Sequence, residues 1–222
     1  AVGRRRGRPT GLLRLATPVV FGRLHIVRRI PAFLARYPDV SVEMIMSDGF
    51  ADLVEQGIDV AIRVGEVTDP SLIVRRIGTV RRVTVASPAY LKHRRAPRTP
   101  TDLTSHECIV YTRLATGNRW TFAGPAGPIS VEVNGRFKVD NSEAAREGVL
   151  GGVGVALIPA FAFGDEMESG AVRVLLEDFE PERLPMSAVY PSRRFVPLKV
   201  RALIDYLAHE FSLDPKLSPH ML

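Results

Sequence analysis

A chain of 222 residues is long enough to bury a sizeable core as one large domain or as two small lobes. Hydrophobic residues make up 45% and charged residues 24%, the usage of an ordinary globular protein, which excludes disordered, collagen-like and disulfide-scaffold chains. The formal charge of +6 points toward nucleic acid only until it is located: Arg4, Arg5, Arg6 and Arg8 supply four of the six, so the body after residue 8 stands near +2 and reads as only mildly basic.

Gly11 to Thr17 is a short apolar run, read as a strand. Thr17-Pro18 then reads as a helix cap followed by a proline suited to the first turn. From Val19 to Tyr37 the apolar residues Leu24, Val27, Ile30, Phe33, Leu34 and Tyr37 paint one helical face, which Pro31 interrupts. Val40 to Met46 is a second strand. Ser47-Asp48 is expected to cap a short helix over Phe50 to Gln56 that ends at Gly57, and Asp59 to Val64 is a buried third strand. Strand, helix, strand, helix, strand implies a parallel sheet.

Ile73 to Ala86 is a long β-rich segment, followed by a helix start at Ser87-Pro88 and a Pro- and Arg-rich loop from Arg94 to Pro100, read as a lobe boundary. Strands are expected at Cys108 to Tyr111, Arg119 to Phe122 and Ile129 to Val139, with a turn over Gly124 to Pro128. Asp140-Asn141-Ser142 caps a helix reaching Leu150, Gly151-Gly152 ends it, and Val153 to Ile158 is a buried strand. Pro159 to Ser169 reads as another helix, Met186 to Tyr190 as a last strand, and Val196 to Phe211 as an amphipathic helix carrying Leu198, Ala202, Leu203, Tyr206 and Leu207 on one face.

No catalytic set is legible. The glycines of GGVGVALIP precede a strand, whereas a dinucleotide fingerprint needs them to open a helix. His25, His93, His106, His209 and His220 lack metal-ligand spacing, and Cys108, the single cysteine, reads as a buried structural thiol rather than a nucleophile paired with His106. No cofactor, no metal and no catalytic residue is therefore expected. No apolar stretch reaches the roughly 20 residues of a membrane span, and no leader precedes Gly11, so a cytoplasmic protein is expected.

A junction of one type recurs, in which a strand ends, a small polar residue follows and a helix begins: Thr17-Pro18, Ser47-Asp48 and Asp140-Asn141-Ser142. Each is either a helix cap alone or one wall of a ligand site at the carboxyl ends of parallel strands, where backbone N–H groups favour an anion. Arg63, just before Gly65, emerges at the same edge. It either grips a carboxylate or pairs internally with an acid such as Asp48.

In order, GLLRLATPVVFG, PAFLARYPDVSVEM, DLVEQGIDVAIRVG, ASPAYL, DLTSHECIVY and GGVGVALIP with the closing helix make residues 11–211 resemble the effector-binding domain of LysR-type transcriptional regulators. The resemblance implies an α/β fold of two Rossmann-like lobes joined by two crossing strands, like a type 2 periplasmic binding protein, with an effector in the cleft between lobes. It divides the chain into a linker stub (1–10), lobe I (11–86 plus 187–212), lobe II (87–186) and a C-terminal tail (213–222). It also implies effector contacts at Thr17, Pro18, Val19, Phe21, Ser47, Arg63, Val64, Asn141 and Ser142. The expected partners are a small carboxylate-like anion and a second copy of the chain, with a tetramer in the full-length regulator. DNA is expected to be bound only through an N-terminal winged helix-turn-helix that does not precede Gly11 in this chain. The alternative is a freestanding solute-binding protein of a transport system, which would share the fold.

Overall fold

The computed structural model describes residues 7–49, 52–113, 116–191 and 195–218. In chain order its strands and helices are β1 (Gly11–Thr17), α1 (Val19–Phe21), α2 (Ile30–Arg36), β2 (Val40–Met46), β3 (Val60–Val64), β4 (Leu72–Val80), β5 (Arg82–Ala86), α3 (Pro88–Leu91), β6 (Cys108–Tyr111), β7 (Arg119–Phe122), β8 (Ile129–Glu132), β9 (Lys138–Val139), α4 (Ser142–Leu150), β10 (Val155–Pro159), β11 (Arg173–Leu175), β12 (Leu184–Pro191) and α5 (Leu198–Ser212). The chain divides into two compact units: one takes the described residues up to Thr79 together with those from Pro185 onward, and the other is Val80–Leu184.

The first unit is built on a sheet of order β2-β1-β3-β12-β4, in which β1 runs parallel to both β2 and β3 while β12 runs antiparallel to β3. β1 and β2 pair over their whole length, Gly11 opposite Val40 and Thr17 opposite Met46. Between them the helical run from Val19 to Arg36 passes from α to π geometry over Gly22–Ile26 and 3-10 geometry over Val27–Arg29 before α2. Pro31 is the cause: it has no N–H to give the Val27 carbonyl, so regular bonding restarts beyond it. α5 covers this run through aromatic contacts, Phe211 edge-on to Phe21 with ring centres 5.9 Å apart and Tyr206 against Phe33 at 5.4 Å. Asp59 ties strand to helix, its Oδ2 accepting from the Arg14 amide at 3.0 Å and from Lys199 Nζ at 2.8 Å.

The residues after α5 are packed rather than a loose tail. Leu217 is buried, its carbonyl accepts from Thr79 N at 2.9 Å, and Thr79 Oγ1 donates to the Ser218 carbonyl at 3.0 Å.

The second unit has a sheet of order β11-β5-β10-β6-β9 and a separate β7-β8 hairpin. β10, β6 and β9 are parallel, while β5 runs antiparallel to β10 and β11 antiparallel to β5. One apolar cluster brings Trp120, Phe122 and Val131 of the hairpin onto Leu157, and the other packs Ala145 and Val149 of α4 on Ile109 and Ala156.

Four expectations change. The β-rich stretch from Ile73 breaks at Arg81, whose guanidinium holds Glu180 at 2.7 Å, and β5 joins the second unit because it pairs with β10 and β11. The lobe boundary accordingly falls at Thr79 and Leu184, not in the Arg94–Pro100 loop. Among the described residues of the segment expected as a helix over Phe50 to Gln56, 53–57 form a turn, because the Asp52 carboxylate accepts from both Val54 N and Glu55 N and Gly57 closes it at φ +61°. Pro159 to Ser169 keeps only a 3-10 turn at Ala160–Ala162, since Glu166 turns back to accept from Gly164 N and pairs with Arg146 of α4. Arg4, Arg5 and Arg6 of the basic stub, and His220, lie outside the described residues.

Candidate functional site

In the first unit the carboxyl ends of β2, β1 and β3 converge, and seven of the nine expected contact residues sit at or beside that edge. The edge is knit by backbone: Ser47 N donates to the Thr17 carbonyl at 2.9 Å and Gly22 N to the Pro18 carbonyl at 2.7 Å. Ser47 is exposed, and its Oγ accepts from Gly49 N at 3.1 Å, a local turn rather than a helix cap. Val19 is 38% exposed and Val64 half-buried, so both present apolar surface there.

Thr17 does not cap the first helix. The helix begins after Pro18, whose extended backbone supplies no side-chain bond, and the Thr17 side chain is buried with its Oγ1 over Gly22, where a Cβ on that glycine would stand 2.2 Å away. The cap comes from 29 residues downstream: Asp48 Oδ1 accepts from Val19 N at 3.0 Å. A resident carboxylate thus takes the Val19 donor, which is the capping alternative at this junction. Phe21, which the sequence offers either as an apolar wall or as a core aromatic, is fully buried and stacks on His25 with ring centres 4.9 Å apart, so it takes the core role.

Arg63 reaches this edge from β3. Its Nη1 donates to the Gly49 carbonyl at 3.1 Å, which clamps the loop after β2, and burial lowers the guanidinium pKa from its ordinary value. The cation is thus held partly out of water at this edge.

Asn141 and Ser142 lie in the second unit. Asn141 is the N-cap of α4, its Oδ1 accepting from Ala144 N at 2.8 Å, as its sequence position predicts. Ser142 is buried at the first turn beside Glu143.

His106 and Cys108 do not form a reactive pair. Tyr90 Oη accepts from Glu107 N at 3.1 Å and lies 3.0 Å from His106 Nδ1, while Cys108 Sγ faces the Leu103 carbonyl at 3.8 Å. Burial, helped by Glu107, pushes the Cys108 thiol up to about 12, so it stays protonated at neutral pH. Among the described residues no group of three His, Cys, Asp or Glu side chains is placed to hold a metal ion, and no helix is long and apolar enough to cross a membrane. Asp48, Asp52 and Asp59 are the acids that sequence reasoning underused. Only their long-range partners reveal what Asp48 and Asp59 do.

The family model described as the LysR substrate binding domain matches residues 6–212. The HTH-type transcriptional regulator PtxR of Pseudomonas aeruginosa is 36% identical over 209 residues, 94% of this chain and 67% of PtxR. The HTH-type transcriptional regulator DmlR of Escherichia coli is 31% identical over 206 residues, 92% of this chain and 66% of DmlR. The chain therefore spans about two thirds of the length of these relatives. The regulatory domain of CrgA, a LysR-type transcriptional regulator from Neisseria meningitidis, aligns with a TM-score of 0.78 at 27% identity over 91% of this chain and 99% of its own. Full-length AphB of Vibrio cholerae aligns with a TM-score of 0.76 at 28% identity, over 91% of this chain but 69% of AphB. The contrast in coverage assigns the likeness to the regulatory portion.

Proposed function

The chain belongs to the family of LysR substrate-binding domains, and on that premise we propose that it senses a small organic anion, with Arg63 as the anchor. It has the periplasmic-binding-protein-like α/β fold of LysR-type regulatory domains and is the effector-binding part of such a regulator. The observation that carries the anionic reading is the partly buried guanidinium of Arg63 at the carboxyl edge of β1, β2 and β3. Because Asp48 already holds the Val19 amide, the ligand carboxylate is directed to Arg63 rather than to the start of the helical run. Pro18, Val19, Ser47 and Val64 line this edge and Thr17 contributes through its backbone, while Asn141 and Ser142 are candidate contacts within the second unit taken by itself.

In the regulator, a homodimer or tetramer, ligand binding shifts the population of subunit arrangements by its differential affinity for them. Operator DNA is then contacted by a helix-turn-helix segment of the kind that the names of PtxR and DmlR denote.

Thermal-shift screening of the domain against carboxylates, aromatic acids and amino acids identifies the effector, since a ligand at 100 times its Kd stabilises the native state by about 2.7 kcal/mol. Arg63→Ala should then weaken that effector roughly 10- to 150-fold, the loss of a charge-assisted bond pair, and leave the fold intact. Calorimetry showing undiminished affinity in Arg63→Ala would remove Arg63 from the site.

A further inference from the structure

We propose that the second unit carries a ligand site of its own, a polar pocket that binds a small hydroxylated molecule through its phosphate group. The cavity measures about 470 Å³, the size of a small-metabolite site, and shares no residue with the first-unit edge or with Asn141 and Ser142.

Its charge favours a multivalent anion. Arg94, Arg136 and Lys138 line it against a single carboxylate, Glu107. Arg136 Nε stands 3.6 Å from Glu107 Oε1, so that carboxylate is partly neutralised. Among the described residues Arg94 and Lys138 make no ion pair, and a phosphate with two charges would satisfy both.

The walls are fixed in advance of any ligand. Glu107 N donates to Tyr90 Oη, Tyr90 Oη lies 3.0 Å from His106 Nδ1, and Arg136 N donates to Glu107 Oε2 at 3.3 Å. Cys108 N donates to the Asn134 carbonyl at 2.9 Å, and the loop lies flush on β6 only because residue 135 is glycine: a Cβ there would stand 1.8 Å from the Cys108 carbonyl oxygen. Walls held this way lose little freedom on binding.

The remaining lining selects hydroxyl groups. Thr104 Oγ1 donates to the Thr101 carbonyl at 2.9 Å and Ser105 Oγ to the Asp102 carbonyl at 2.8 Å, so each hydroxyl has spent its proton and keeps lone pairs for a donor. A sugar phosphate combines the two requirements.

The test is titration calorimetry of this domain with glucose 6-phosphate at low ionic strength, where screening is least. Saturable binding at one site per chain is expected, weakened roughly tenfold or more in the double variant Arg94→Gln, Lys138→Gln. Circular dichroism and the melting temperature should match the parent, because neither side chain is part of the core. Burial and Arg94 lower the pKa of His106 against an opposing pull from Asp102, so a bound phosphate should raise it in ring-proton NMR. Arg63→Ala should leave this binding unchanged, which separates the site from the proposed effector edge. The proposal is overturned by no saturable binding up to about 10 mM, by binding that the double variant does not weaken, or by binding that Arg63→Ala abolishes.

Discussion

Thr17→Val should make the protein more stable. The Thr17 side chain is 2% exposed, and among the described residues its Oγ1, wedged over Gly22, has no hydrogen-bond partner. A buried hydroxyl without a partner forfeits its hydration and gains no bond, a penalty of about 1–3 kcal/mol. Valine has the same shape and a slightly better strand propensity, so most of that penalty is recovered and the net gain should be about 1–2 kcal/mol. For a chain of this length each kcal/mol moves Tm by about 2–4 °C, which puts the expected rise at roughly 2–8 °C in differential scanning calorimetry at pH 7. Because the hydroxyl is sealed, effector affinity should stay within about threefold of the parent. A fall in Tm would mean that Oγ1 has a partner, and a tenfold loss of affinity would mean that it reaches the ligand. Either result would refute the reasoning.

Three further outcomes follow from the same geometry. His25 is 8% exposed and its pKa is lowered to about 4, mainly by burial and then by Arg29. The folded state therefore resists protonation: the stability this contributes is complete above the ordinary value of 6.5 and lost as pH falls toward 4, about 3 kcal/mol in all. Urea unfolding across that range should show the slope in the parent and a shallower one in His25→Leu. Gly135→Ala drives a methyl into the Cys108 carbonyl, so it should cost about 3 kcal/mol or more and appear as loss of soluble protein or a much lower Tm; parent-like stability would show that the loop is free to lift. Asn141→Ala should cost about 1 kcal/mol through the lost α4 cap, read by thermal unfolding, whereas Asn141→Asp should retain most of it.

The elements that read correctly from sequence are those fixed locally. β1, β2 and β6 begin and end at the residues where their apolar runs do, and α4 starts where Asn141 can cap it. What escaped reading depends on partners far along the chain. Asp48 is followed by a plausible helical pattern, yet its carboxylate serves Val19, while Asp52 takes the amides of the local turn. The break at Arg81 is invisible in an unbroken β-rich stretch, because it is imposed by β5 pairing with β10 and β11. β11 has three residues and no pattern of its own. At the candidate site the position of Arg63 was legible from a charged residue interrupting a buried strand, but the sealing of Thr17 was not, since it depends on how the helical run settles against it at Gly22.

The unequal continuity of the two units bears on how the protein is made. Val80–Leu184 is one uninterrupted stretch, whereas the other unit needs β12, α5 and the Leu217 contact to Thr79 before its sheet and core are complete. On the ribosome β1 to β4 emerge before Val80–Leu184 and then wait, on the order of ten seconds at ordinary synthesis rates, for the residues that cover them. Val80–Leu184 can complete its fold within that interval, while β1 to β4 lack β12 and α5 until those residues are made.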